Sequence, residues 1–117
     1  MALARRMLFG TAVGTLALLA GCSTDTISAD TVIIDVRTPA EFAAGHLEGA
    51  TNIDIEAADF ATKIGKLDKA KSYFVYCRSG NRSAQAITKM KAAGFTHLVD
   101  GGGIDAAART AGKSIVK

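Results

Sequence analysis

Cys77 stands in the run Cys77-Arg78-Ser79-Gly80-Asn81-Arg82-Ser83, directly after the apolar stretch Tyr73–Tyr76. These residue types at this spacing can make a reactive thiol. The thiolate is the nucleophilic form of cysteine, and nearby cations favour it. So do the unpaired N–H groups at the start of a helix, where the macrodipole adds about half a positive charge. Arg78 and Arg82 supply the cations, and Gly80 and Asn81 tolerate the tight backbone of a short turning loop. A lone cysteine is more often an inert core residue. The polar, flexible and cationic surroundings of Cys77 belong on a surface loop instead, and point to a nucleophile.

The other chemistry-bearing residues are blander. His46 has a side chain that titrates near neutrality, but it lies in a Gly-rich turn far before Cys77 and is read as structural. His97, on an expected strand, is read the same way. Glu41 is expected to cap its own helix. Gly101-Gly102-Gly103 could cradle a phosphate, yet a glycine cluster alone needs no more than a tight turn. No metal ligand set and no cofactor motif is present.

The elements that would position Cys77 follow from pattern. Thr31–Val36 is β-branched and apolar, which suits a buried parallel strand. Thr38-Pro39-Ala40-Glu41 is a capping box with proline at the first helical position, predicting a helix over Pro39–Ala44 that stops at Gly45. Gly45–Ala50 reads as a turn and Asn52–Asp54 as a short extended piece. Asp54 is expected to cap a helix over Glu56–Ile64. Tyr73–Tyr76 is a second strand, running into a six-residue loop. Ser83–Ala93 has helical spacing and ends at Gly94. His97–Val99 is a third strand, Asp100–Gly103 a turn and Ile104–Thr110 a last helix. Alternating strands and helices predict an α/β fold, a small parallel sheet flanked by helices on both faces. Cys77 would then sit at the carboxyl end of a strand, where open α/β sheets collect function.

The 117 residues suffice for one domain. Met1–Arg6 is short and positive, and Met7–Ala20 is apolar and uncharged. That stretch is shorter than the roughly 20 residues a spanning helix needs and has the length of a signal-peptide core. Leu19-Ala20-Gly21-Cys22 follows and resembles a bacterial lipoprotein signal, in which the cysteine is lipidated and becomes the new N-terminus. We therefore expect a signal over 1–21, a tether over 22–29 and a domain over 30–117. The chain would be lipid-anchored through Cys22 in the bacterial cell envelope. Ser23 after the cysteine points to the outer membrane, with the domain facing the periplasm. Cys77 is then the only free thiol in an oxidising compartment. The formal net charge is +3, and two of those charges are Arg5 and Arg6. No dense basic stripe is present, which excludes a nucleic-acid partner. Lys63, Lys66, Lys69 and Lys71, interrupted by Asp68, read as a solvated helix face.

The run Tyr76–Ser83 resembles the active loop of rhodanese domains. Ile34-Asp35-Val36-Arg37, Glu41-Phe42, Gly45-His46, Gly49-Ala50 and Asn52-Ile53 are similar to that family's first signature. Ala93-Gly94-Phe95 and Gly102-Gly103 are similar to its closing segment. The likeness is greatest to small exported single-domain rhodaneses of the phage-shock type. The resemblance implies a ping-pong sulfurtransferase without metal or organic cofactor. Cys77 would take the outer sulfur of thiosulfate or a related donor as a persulfide and pass it to a thiol or cyanide. The amides of Arg78, Ser79, Gly80, Asn81, Arg82 and Ser83 would cradle the sulfur or the bound anion, and Arg78 could meet an anionic donor. Asp35 and Arg37 would support the loop, with Arg82 pairing to Asp35. Many rhodaneses carry a tryptophan where this chain has Ala107, and a proline near Ser114, which implies looser C-terminal packing. Cys-loop phosphatases are similar but space their cysteine and arginine more widely. Only four residues separate Cys77 from Arg82, a bed small for phosphate. A sulfur carrier or protein-binding module without turnover, and a thiol redox sensor, are the competing readings.

Overall fold

A computed structural model describes residues 27–117. The expected signal, Cys22 and residues 23–26 of the tether lie outside the described residues. The sheet has four parallel strands in the order β3-β1-β4-β5. These are β1 Val32–Asp35, β3 Thr51–Asn52, β4 Tyr73–Cys77 and β5 Leu98–Gly103. Strands β2 (His46–Leu47) and β6 (Ile115–Val116) form a small antiparallel pair beside it. The helices are α1 Pro39–Ala44, α2 Phe60–Gly65, α3 Asn81–Ala92 and α4 Ile104–Ala111.

Strand β4 is buried along its whole length, as a central parallel strand must be. Its side chains alternate between two cores. Tyr73, Val75 and Cys77 face Phe60 and Ile64 of α2 and Ala86 and Met90 of α3. Phe74 and Tyr76 face Leu47 of β2 and Ala107 and Ala111 of α4. Helices therefore cover both faces, as expected. Ile27 packs against the second core, so at least this residue of the stretch read as tether belongs to the folded domain.

The structure corrects several boundaries. Helix α2 starts at Phe60, because Asp54 caps a turn through the Glu56 amide instead of a helix. Lys66, Lys69 and Lys71 thus lie on a loop and not on a helix face. Helix α3 starts at Asn81, two residues before expectation, leaving only Arg78–Gly80 as connecting loop. Asp100–Gly103 belongs to strand β5 and not to a turn, with a bulge where the register shifts against Val75 and Tyr76. The C-terminus is not loose: Ala107 is fully buried and β6 pairs with β2.

Candidate active site

Cys77 ends β4 at the mouth of the short loop, its side chain on the α3 face of the sheet. Gly80 is the N-cap of α3 and has φ +103°, a conformation glycine adopts freely. It offers no side chain to cap the helix. The Cys77 sulfur takes that place, accepting the Gly80 amide at 2.8 Å. Burial works against ionisation of the thiol. Donation from the Ser83 amide and hydroxyl and from the Gly80 and Ser79 amides outweighs it, and the thiol pKa falls below its ordinary value. The cradle thus uses Ser79, Gly80 and Ser83 of the six expected residues. Arg78 and Ser79 are exposed at the mouth, and the Asn81 side chain faces outward to Gln85.

Arg82 does not pair with Asp35. Its guanidinium grips both carboxylate oxygens of Glu41, at 2.8 and 3.0 Å. Glu41 also completes the α1 capping box, accepting the Thr38 amide while its own amide donates to the Thr38 hydroxyl. Arg82, with help from Thr38, lowers the Glu41 pKa to about 2. One carboxylate thereby fastens the start of α1 to the first turn of α3.

Asp35 is fully buried and serves the opposite face of the sheet. It binds the Arg37 guanidinium at 2.6 Å and accepts the Tyr76 hydroxyl at 2.7 Å. Arg37 reaches on to the Gly45 carbonyl, and Tyr76 accepts the Leu47 amide. This network fixes β1, β2 and β4 below the loop, so Asp35 and Arg37 support it only through the Tyr76–Cys77 backbone. His46 stacks on Phe42 at 3.7 Å and bonds the Phe42 carbonyl, a structural part as read.

Sequence reasoning missed the parts played by two residues, Asp100, which carried no signal, and Gly103, which was read as part of a turn. Asp100 accepts the hydroxyl of fully buried Ser83 at 2.7 Å and the Gly102 amide at 2.9 Å. Gly103 passes so close to the loop that a Cβ there would lie 2.8 Å from the Arg78 carbonyl oxygen.

A parallel α/β domain with a cysteine over the first turn of a helix, at the carboxyl end of its central strand, has the architecture of rhodanese domains. The rhodanese-like domain family matches residues 21–106, and the chain belongs to that family. It is 34% identical over 71 residues to thiosulfate sulfurtransferase PspE of Escherichia coli (strain K12), an alignment covering 61% of this chain and 68% of that one. It is 38% identical over 74 residues to thiosulfate sulfurtransferase GlpE of Pseudomonas entomophila (strain L48), covering 61% of this chain and 65% of that one. A solved rhodanese with anions from E. coli superimposes with TM-score 0.61 at 32% identity, covering 74% of this chain and 98% of that one. The chain is a rhodanese-like enzyme.

Proposed function

We propose that the chain transfers sulfur through a persulfide on Cys77. The observation that carries this reading is the Cys77 sulfur held in the amide cradle, with the Gly80 N–H at 2.8 Å. The Cys77 thiolate attacks the outer sulfur of thiosulfate or a related donor. A new S–S bond forms, the donor's S–S bond breaks, and sulfite leaves with the electron pair. An acceptor, a thiolate or cyanide, then attacks the outer sulfur of the persulfide, and Cys77 departs as thiolate into the same cradle. Amides fixed before the reaction stabilise that negative charge without reorganising. Arg78, exposed at the mouth, attracts the anionic donor.

The envelope placement belongs to this proposal: a signal over 1–21, lipid on Cys22, and the domain held at the outer membrane facing the periplasm. The charge, length and Leu19–Cys22 box of the amino-terminal segment support it. Mass spectrometry of membrane-extracted protein tests it. An acylated Cys22 is expected, and an unmodified Met1 or an unacylated Cys22 removes the reading.

Sulfur transfer from thiosulfate to cyanide, measured beside Cys77→Ala, tests the chemistry. Turnover should vanish in the variant. A folded wild-type protein with reactive Cys77 and no turnover would overturn thiosulfate transfer and favour a carrier or a thiol sensor.

A further inference from the structure

The four strands of the sheet are parallel, so their amino ends share one pole. Helices α2, α3 and α4 run back and end at that pole too. Basic residues collect there. Lys63, Lys89 and Lys91 occupy the last turns of α2 and α3, and Arg109 the last turn of α4. Lys66, Lys69 and Lys71 lie on the connection into β4, and Lys113 follows α4. All are exposed.

Contacts join these positions into one surface. Lys69 lies 5.2 Å from the centre of the Phe95 ring, just past α3. Lys71 borders a recess with Ser28 and Asp30, and Lys113 borders another with Ile27 and Glu48. The acidic residues near these cations are Asp30, Glu48, Asp59 and Asp68; Asp59 pairs with Lys63 at 3.6 Å, and Asp68 already accepts the Ala70 amide. Most other carboxylates, among them Glu41, Asp54, Glu56 and Asp105, follow the carboxyl ends of the strands, on the Cys77 side. Cations in the last turn of a helix are explained by its dipole. That explanation extends to Lys66, the C-cap of α2, and to Lys113, next to the α4 C-cap Gly112, but not to Lys69 and Lys71, which sit on the loop into β4. Ile27 lies among these residues, and Cys22, the position read as lipidated, precedes it by five residues.

We propose that this basic pole is a docking surface for an anionic lipid bilayer, which turns the Cys77 mouth away from the membrane. The inference rests on the envelope reading above for the presence of a membrane, and on the charge distribution for the face presented to it. Loop lysines held within a Debye length of an anionic surface, about 10 Å at 0.1 M salt, are each attracted to it.

The test is a lysine-acetylation footprint of the full chain, read residue by residue by mass spectrometry. The chain is mixed with phosphatidylcholine vesicles and with vesicles containing about 30% phosphatidylglycerol. Lys66, Lys69, Lys71, Lys91 and Lys113 should be acetylated several-fold more slowly on the anionic vesicles. Lys117, beside the β2–β6 pair near Gly45, should react equally on both. The protection should fade at about 0.5 M salt. In the Lys66→Glu/Lys71→Glu variant, protection of Lys91 and Lys113 should fall. Equal acetylation on the two vesicle types overturns the proposal, as does protection that survives the double variant. Protection by soluble heparin that matches or exceeds that on anionic vesicles also overturns it, in favour of a polyanionic macromolecule. Flotation with neutral vesicles reports the amino-terminal anchor separately, so its failure leaves the footprint interpretable.

Discussion

The Ser83 hydroxyl has one proton and several claimants. It lies 2.7 Å from the Asp100 carboxylate and 3.0 Å from the Gly80 carbonyl, and turned toward the Cys77 sulfur it would favour the thiolate. While Asp100 holds that proton, the thiolate loses part of its support. Asp100→Asn should therefore lower the pH midpoint of the Cys77 reaction with iodoacetamide, and Ser83→Ala should raise it. A midpoint unmoved by both changes would mean that the backbone amides alone set the thiol. That Cys77 opens onto a polar, turning loop was legible from its neighbours in sequence, with Arg78 and Ser79 exposed; that the Cys77 side chain is itself fully buried, and not on the surface, was not. The Ser83–Asp100 contact was not, since 17 residues and a sheet edge separate the pair and no local pattern links them.

At the scale of elements, the Glu41–Arg82 pair makes the loop's position depend on α1. The Glu41 and Arg82 side chains are 26% and 21% exposed, so the pair is partly shielded from water. Glu41→Gln should cost about 1 kcal/mol in urea unfolding. The sign of its pH dependence follows from a depressed carboxylate. The stabilisation is fully present above the ordinary value of 4.5 and is lost as pH falls toward about 2. The wild-type advantage over Glu41→Gln should accordingly be constant near neutrality and shrink through that acid range. An advantage that grows on acidification would contradict the assignment. Arg82→Lys, which loses the bidentate grip, should lower sulfur turnover more than it lowers stability. The capping box and the buried strands were legible because their signals are local and periodic. The partner of Arg82 was missed because Glu41 already had a sufficient local role. Strands β2 and β6, two residues each, are too short to show a period, and the glycines of β5 read as a turn until pairing with β4 overrides composition.

For the whole molecule, the central sheet separates two kinds of polar work. The thiolate and its donors lie on one face, and the buried Asp35–Arg37–Tyr76 network lies on the other. Removing one partner of a buried ion pair leaves an uncompensated charge. Asp35→Ala should therefore cost about 3–5 kcal/mol by urea denaturation. A loss well under 1 kcal/mol would show that water reaches Arg37 without help. Ala107, fully buried, leaves no room for the tryptophan that many relatives of this fold carry there, so Ala107→Trp should destabilise by about 1–3 kcal/mol or more. The sheet order and both cores were foreshadowed by the alternation of strand and helix. The looser C-terminus was not found, because small residues can close a core as tightly as large ones when the backbones approach. That same closeness governs the route by which such a scaffold could acquire new chemistry. A Cβ on Gly103 would lie 2.8 Å from the Arg78 carbonyl oxygen, so an extra residue in the loop has to bulge outward, on the exposed side of Arg78 and Ser79. A lineage drifting from sulfur toward larger oxyanions would have to lengthen the loop on its open side while keeping Gly103 beneath it.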